Sequence, residues 1–240
     1  MRELKVSEVG MWHFTREYAR QYVDDEAFRA RVHDALAMPD RDDSNPQQQQ
    51  KQQQLPISLD LSYSNTRDVG ALGNVHTLTQ SNCTGITDVS ALGNVHTLGL
   101  GRCSGITDVS ALGSVHTLNL TSCDGITDVS ALGSVHTLYL GDCHAVTDVS
   151  ALGSMHTLNL SNCTGIMDVS ALGNVHTLNL SYCDGITDVS NLGCVHTLDL
   201  HGCTGIMDVS PLGNVHTLNL SECTGITDVS ALGEVPNLTR

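Results

Sequence analysis

From about residue 55 to residue 240 the chain repeats a unit of twenty residues, and this period constrains the fold more than any other feature. Residues 81–100 read SNCTGITDVSALGNVHTLGL, and residues 101–120 read GRCSGITDVSALGSVHTLNL. A fixed period of this length predicts a solenoid, in which each unit stacks on the preceding one. We therefore expect residues 55–240 to form a single array of about nine units.

Within a unit, the apolar residues predict one short strand followed by turns. Leu98 and Leu100 alternate with polar or small residues, which is typical of a strand with one buried face. The alternation ends at Cys103, so we expect the chain to turn there. Gly105 and Gly113 are expected to supply positive φ angles in the turns. Successive strands would stack in parallel at about 4.8 Å.

The pattern resembles the leucine-rich repeat, whose core is L-x-x-L-x-L-x-x-(N/C)-x-L. The short period and the D-V-S-x-L segment are similar to bacterial internalin-type repeats, and the C-x-x-I-T-D run is similar to the cysteine-containing subclass of F-box proteins. The resemblance implies an α/β repeat solenoid with short parallel strands and a helix-poor convex side. The motif stands here as Val95-x-x-Leu98-x-Leu100-x-x-Cys103-x-x-Ile106.

Two segments of different composition precede the array. Residues 1–38 are predicted to form a small N-terminal helical segment, because Phe28, Val32 and Leu36 recur at helical spacing. Residues 39–54 are polar, rich in glutamine and bracketed by prolines, which predicts a flexible linker. The predicted domains are therefore 1–38, 39–54 and 55–240.

The two ends of the array depart from the repeat. Gln80 occupies a position where later units have leucine, and burial of an unpaired amide costs about 1–3 kcal/mol. We therefore expect this end to be loosely formed or covered by the N-terminal helices. At the other end no dedicated polar cap follows the last strand, so end-to-end self-association through an open face is expected.

The charge of the array limits its partners. The formal net charge of the chain is −15, and residues 55–240 carry three basic residues against sixteen acidic ones. Such a surface repels phosphate backbones and anionic lipids, so we expect neither nucleic-acid nor membrane binding. The sequence has neither a bilayer-spanning apolar run nor a secretory signal, and its nine cysteines then indicate reduced thiols. A cytoplasmic location is expected, with the nucleus as the alternative.

Three residue types recur at fixed positions in the unit and could carry chemistry. The cysteines are predicted to point inward and pack in the core, except Cys194, which is expected to be an exposed thiol. The histidines are predicted to stack outside the core about 5 Å apart, and the aspartates to open turns by accepting backbone N–H bonds. Adventitious metal binding by the histidines and calcium binding by the aspartates are the alternatives. We expect no cofactor, no metal site and no catalytic group.

Differences between units concentrate on the outward strand face and in the turn that follows it. In a leucine-rich repeat these positions lie on or beside the concave surface that faces ligands, although drift at tolerant sites would look similar. The function predicted is a non-enzymatic protein–protein interaction module with a partner, basic if charged, on the concave face. The predicted partner-binding residues are Arg102, Asn119, Tyr139, Asp142, Asn159, Asn179, Tyr182, Asp199, His201 and Asn219.

Three alternatives remain open at this point. Residues 1–38 would act as an F-box-like handle if the protein were a substrate adaptor of a ubiquitin ligase. The regular array of threonine, asparagine and serine would bind ice or another lattice, as in some plant leucine-rich-repeat antifreeze proteins. Recent tandem duplication would leave a folded array without a selected partner.

Overall fold

The computed structural model of the chain describes residues 5–6, 12–36 and 55–240, and in them one sheet of twelve strands runs the length of the molecule. The strands follow one another in the order of the sequence, and all neighbours from β2 onward are parallel. The strands are β1 Lys5–Val6, β2 Trp12–Phe14, β3 Leu55–Asp60, β4 Val75–Thr79, β5 Thr97–Gly99, β6 Thr117–Asn119, β7 Thr137–Tyr139, β8 Thr157–Asn159, β9 Thr177–Asn179, β10 Thr197–Asp199, β11 Thr217–Asn219 and β12 Asn237–Thr239.

The register of the sheet repeats with the sequence. Thr97 pairs with Thr117, Leu98 with Leu118 and Gly99 with Asn119, and the same offset of twenty holds up to β12. Leu98 and Leu100 are buried, and both join the continuous core that runs through the array. The parallel strands and the helix-poor unit predicted from the sequence are confirmed.

From β3 onward, each connection between consecutive strands contains one short 3-10 helix. Asp108 begins the turn before this helix, because its Oδ1 accepts the backbone N–H of Ser110 at 2.8 Å. Too few residues remain before the next strand for an α-helix. The 3-10 helices of the described residues are Gly70–Leu72, Ser90–Leu92, Ser110–Leu112, Ser130–Leu132, Ser150–Leu152, Ser170–Asn174, Leu192–Cys194, Ser210–Leu212 and Ser230–Leu232.

The expectation that Gly105 and Gly113 supply positive φ angles is wrong. Gly113 has φ of −61°, and Gly105 is not among the residues with positive φ. Close approach of the backbone explains both glycines, since a Cβ on Gly113 would lie 2.4 Å from the Ala131 carbonyl oxygen and one on Gly105 2.6 Å from that of Ile86.

The left-handed residue of each unit instead directly precedes the buried cysteine, or Ser64 in the first unit. We call these residues, which end the outward strand face, the turn row. Ser122, for example, has φ of 57°. The turn row consists of Tyr63, Asn82, Arg102, Ser122, Asp142, Asn162, Tyr182, Gly202 and Glu222.

The N-terminal residues extend the same sheet. The predicted helices are present as α1, Arg16–Asp24, and α2, Glu26–Leu36. The purely helical expectation missed β2, which pairs in parallel with β3, so that Phe14 lies opposite Leu59. Tyr22 of α1 is fully buried, and its ring meets that of Phe14 at 5.7 Å. The predicted linker at 39–54 lies outside the described residues.

Gln80 lies next to this covered end, in the loop after β4. It is fully buried, and neither its amide nitrogen nor its amide oxygen has a hydrogen-bond partner among the described residues. This end is covered, but strand β2 pairs with β3 where only helices were expected, and Tyr22 of α1 packs against Phe14 of β2. The Gln80 side-chain amide therefore lowers the stability of the fold even though this end of the array is covered.

Candidate functional site

Four predicted site residues, all asparagines, hold their own turns together. The Oδ1 atom of Asn119 accepts the backbone N–H of Thr121 at 2.9 Å, and Asn159, Asn179 and Asn219 make the equivalent bond at 2.8–3.1 Å. Each side chain is half-buried. Their regular recurrence therefore has a local structural reason, the turn that follows each strand.

Tyr139 and Asp142 lie one turn apart in the middle of the array. Tyr139 ends β7 and is half-buried. Asp142 belongs to the turn row, and its carboxylate accepts the Asn162 side-chain amide at 2.7 Å and the Ser122 hydroxyl at 3.4 Å. Three consecutive members of the turn row are thus connected, and the acceptors of this carboxylate are engaged within the protein.

Tyr182, His201 and Glu222 form a connected cluster near the C-terminal end of the turn row. The Tyr182 hydroxyl lies 2.7 Å from His201 Nε2, and the two rings meet edge to face at 4.8 Å. The same Nε2 lies 3.8 Å from a carboxylate oxygen of Glu222. Tyr182 remains 47% exposed. We call Tyr182, His201 and Glu222 the tyrosine–histidine cluster.

Gly202 makes the position of Tyr182 possible. A Cβ at Gly202 would lie 2.7 Å from the Tyr182 Cδ1 atom, so the ring occupies the space that a side chain would need. Gly202 is the sole glycine of the turn row. Gly202 was not among the predicted site residues, although its difference from the other eight members can be read from the repeated units.

Asp199 supports the same region from the strand. Its Oδ1 atom accepts the backbone N–H of His201 at 3.0 Å and the Asn219 side-chain amide at 3.0 Å. Four of the predicted residues, Tyr182, Asp199, His201 and Asn219, are thus brought together. Arg102 does not join them, since it lies four units away and is exposed.

The buried cysteines are arranged for packing and not for reactivity. The Cys123 thiol donates to the Leu100 carbonyl oxygen at 3.2 Å, and the other units repeat this bond. Burial raises the pKa of Cys123, Cys163 and Cys203 to about 12. A thiol with such a pKa stays protonated, so it is neither a nucleophile nor a ready metal ligand. Cys194, by contrast, is exposed, as predicted.

The histidines form a stack beside the strands. Neighbouring rings from His76 to His216 lie 4.5–4.8 Å apart and nearly parallel, which confirms the predicted spacing. Each Nδ1 lies near the hydroxyl of the following threonine, 3.2 Å in the case of His136. The pKa values of His96, His136 and His196 are lowered, first by desolvation and then by the neighbouring histidines.

The aspartates that begin the turns lie on another side of the coil. Hydrogen bonds from the serine two residues later lower the pKa of Asp88 and of each corresponding aspartate from Asp108 to Asp228. Among the described residues, histidines, cysteines and acidic side chains do not form a group of three or more that could hold a metal ion. These carboxylates are engaged with the backbone.

Comparison with known proteins identifies the fold. No protein-family model matches the chain, and no curated protein matches it. Among solved structures, the functional domain of InlJ from Listeria monocytogenes, which includes a cysteine ladder, is 18% identical with a TM-score of 0.53. The alignment covers 75% of this chain and 50% of that one.

A second structure, that of a TLR13–ssRNA13 complex, is 20% identical with a TM-score of 0.55, over 77% of this chain and 32% of that one. This chain therefore spans half or less of the length of these two structures. Together with the parallel strands at a period of twenty residues, these likenesses show that the chain has the leucine-rich-repeat fold. In the part of the chain that is described, no helix has the length and apolar character needed to cross a bilayer.

Proposed function

We propose that this leucine-rich-repeat protein is a non-enzymatic interaction module that binds a protein partner on the outward strand face and the adjoining turn row. One observation carries the proposal: residues that depart from the common repeat at Tyr182, Asp199, His201 and Glu222 contact one another across neighbouring units. Independent substitutions at tolerant surface positions would not favour side chains that contact one another. The fit of Gly202 beneath the Tyr182 ring supports the same interpretation.

The chemistry of the tyrosine–histidine cluster suits a basic partner. An exposed tyrosine offers a large, rigid contact surface and a π face to a cation, and such residues are enriched among binding hot spots. A carboxylate oxygen of Glu222 lies near the His201 ring, and that of Asp199 accepts the His201 backbone N–H. The formal net charge of −15 would also increase the rate of encounter with a basic surface, more strongly at low salt.

The adaptor alternative requires the N-terminal residues to act as an F-box-like handle. Residues Trp12–Phe14 add a strand to the array, and Tyr22 is fully buried against it. We therefore propose that the described N-terminal residues act as a cap of the solenoid.

A cytoplasmic location is proposed from the thiols. All nine cysteines are free, and eight of them lie buried in one core. Long rows of reduced cysteine suit a compartment in which thiols are kept reduced. Counting free thiols in protein isolated from its native cell and denatured under alkylation would test this: fewer than nine reduced cysteines contradicts it.

Affinity capture from the native cell, with the full chain as bait, tests the interaction function. The test variant combines Tyr182→Asn, His201→Ser and Glu222→Asn, which restore residues found at equivalent positions of other units and should fold normally. The matched control is Met167→Thr with Met207→Thr, which likewise restores the common residue but at exposed positions outside the strand face. A partner that binds the control as well as the wild type, but binds the test variant at least about tenfold more weakly, supports the proposal. A partner captured equally by all three chains contradicts it.

A further inference from the structure

Arg102 lies beside a cavity near the end of β5, where the chain carries two glycines, one of which lines the cavity. Most later units carry an asparagine or aspartate at the end of the strand, but β5 ends in Gly99, and Gly101 follows two residues later. A cavity of about 270 Å³ opens at this place, lined by Ser81, Asn82, Gly101, Arg102, Asn119 and Thr121. None of its lining residues is acidic.

Gly99 leaves a backbone donor without its usual acceptor. In the next unit the Oδ1 atom of Asn119 accepts the N–H of Thr121 at 2.9 Å, and Gly99 has no side chain to do the same for Gly101. The Gly101 N–H has no hydrogen-bond partner among the described residues, although Gly101 itself is buried. Because Gly101 also lines the cavity, a carboxylate oxygen placed there can accept from its N–H in place of water.

The array contains its own example of the missing acceptor. In the unit of β10, Asp199 places a carboxylate oxygen 3.0 Å from the His201 N–H and 3.0 Å from the side-chain amide of Asn219. Gly101 and Asn119 hold the equivalent positions in the unit of β5, since the register of twenty is unbroken. Asn119 also uses its Oδ1 as Asn219 does, so its amide nitrogen is left to donate to another acceptor.

We propose that this cavity, the Arg102 site, binds a carboxylate group of a partner protein. One carboxylate oxygen takes the place that Asp199 Oδ1 holds in its own unit, accepting from the Gly101 N–H and the Asn119 amide, and the Arg102 guanidinium pairs with the charge. Arg102 is the only basic member of the turn row, and its neighbours there, Asn82 and Ser122, are neutral. Charge-assisted bonds to backbone N–H and guanidinium are the strong class of hydrogen bond.

This inference deepens the proposed function, because it names one group that a partner would present to the same face. The Arg102 site and Tyr182 are four units apart, which is about 19 Å at the usual strand spacing. A partner with an acidic group at one end and a basic group at the other would bind in a single direction. The two sites together would therefore set the polarity of the complex.

The unit of β7 provides a control within the same chain. Tyr139 offers no acceptor at the position of Gly99, and Gly141 follows it as Gly101 follows Gly99. The adjacent member of the turn row is Asp142, whose negative charge opposes an incoming carboxylate. Gly141 should not respond to a ligand that binds at Gly101.

Titration of the ¹⁵N-labelled full chain, followed by the amide resonances, tests the Arg102 site. The probes are Nα-acetylaspartate amide, with a side-chain carboxylate, and N-acetylglycine, with a terminal carboxylate; Nα-acetylasparagine amide is the neutral control. A saturable downfield shift of the Gly101 amide proton, with a Kd on the order of 10 mM, is the expected result. The probe that binds more tightly identifies which kind of carboxylate fits.

Two variants make the outcome decisive. Gly99→Asn supplies the missing acceptor from within the chain, and Arg102→Ser restores the residue of the next unit; each should weaken carboxylate binding at least fivefold. Unchanged binding in Gly99→Asn, equal shifts at Gly141, or no shift of Gly101 up to about 100 mM would each overturn the proposal. These results are independent of partner capture, so a failure here leaves the tyrosine–histidine cluster to be judged separately.

Discussion

The Tyr182 hydroxyl lies 2.7 Å from His201 Nε2, and the bond crosses from one unit of the array to the next. Neither residue belongs to the common repeat, and the contact exists because Gly202 leaves room for the tyrosine ring. Three neighbouring departures from the repeat are therefore coupled.

Gly202→Asn should destabilise the protein by displacing the Tyr182 ring. The left-handed backbone at φ of 70° is tolerated by asparagine, as Asn162 demonstrates in its own unit, so the expected cost of about 1–2 kcal/mol comes from the clash. In a Tyr182→Asn background the same change should cost less than about 0.5 kcal/mol. Urea denaturation of the four chains measures the coupling. Equal costs in both backgrounds would show that the contact is incidental.

Gln80→Leu should stabilise the covered end of the array. The side-chain amide of Gln80 is fully buried without a partner, and the equivalent residue of the next unit is Leu100. Removing the unpaired amide should raise the free energy of unfolding by about 1–3 kcal/mol, measured by urea denaturation. The reverse change, Leu100→Gln, should lower it. A destabilising Gln80→Leu would mean that the amide has a role that burial does not explain.

Gly113→Ala should be strongly unfavourable, while Gly233→Ala should be nearly neutral. The two glycines hold the same position in their units, but a Cβ at Gly113 would lie 2.4 Å from the Ala131 carbonyl oxygen, whereas at Gly233 the nearest atom is 4.0 Å away. We expect Gly113→Ala to cost about 1–3 kcal/mol and Gly233→Ala to change stability by less than about 0.5 kcal/mol. Comparison of the two melting temperatures separates close approach from helix propensity, which is common to both.

Stability should fall in two steps as the solution is acidified. The pKa values of His96, His136 and His196 are lowered in the folded state, so the unfolded chain binds protons more readily and stability declines as pH falls from about 6.5. The turn-opening aspartates also have lowered pKa values, and their contribution, complete above about pH 4, is lost below it. Melting temperatures from pH 8 to 3 would measure both steps. Replacing His96, His136 and His196 with glutamine should reduce the first step and leave the second unchanged.

Cys194 should be the one thiol that reacts rapidly in the native protein. It is exposed in the short helix Leu192–Cys194, whereas the other eight cysteines are buried. Burial also raises the pKa of thiols such as Cys103 and Cys143 to about 11, so little thiolate forms near neutral pH. Mass spectrometry after brief alkylation should find a single modification, absent from Cys194→Ser. Several modifications at early times would indicate that the array opens more readily than its packing implies.

The core and the strands were predictable because repetition averages out accidental patterns. Leucine recurs nine times at the Leu98 position and seven times at the Leu100 position, which identifies a strand, and the inward cysteines followed from the same register. The cause of each conserved glycine was not predictable. A glycine required for positive φ and one required for close approach, such as Gly113, look alike in sequence.

Side-chain contacts between neighbouring units could not be predicted from the sequence either. Whether Tyr182 reaches His201 depends on side-chain rotamers and on the space above Gly202, which no pattern within one unit contains. Strand β2 was missed because three residues, Trp12–Phe14, are too few to establish alternation. The Arg102 site was visible in part, as an unusual pair of glycines, but its unpaired donor required the hydrogen bonds of the other units for comparison.

The unbroken register has a consequence for how such a chain can change. Each coil pairs with the coil before it and with the coil after it in the same register. Leu118, for example, pairs with Leu98 on one side and with Leu138 on the other. Excision of twenty residues from the middle would therefore join two surfaces that already match. The length of the molecule, and with it the distance between the two ends of a bound partner, can be adjusted one whole unit at a time without redesign of the core.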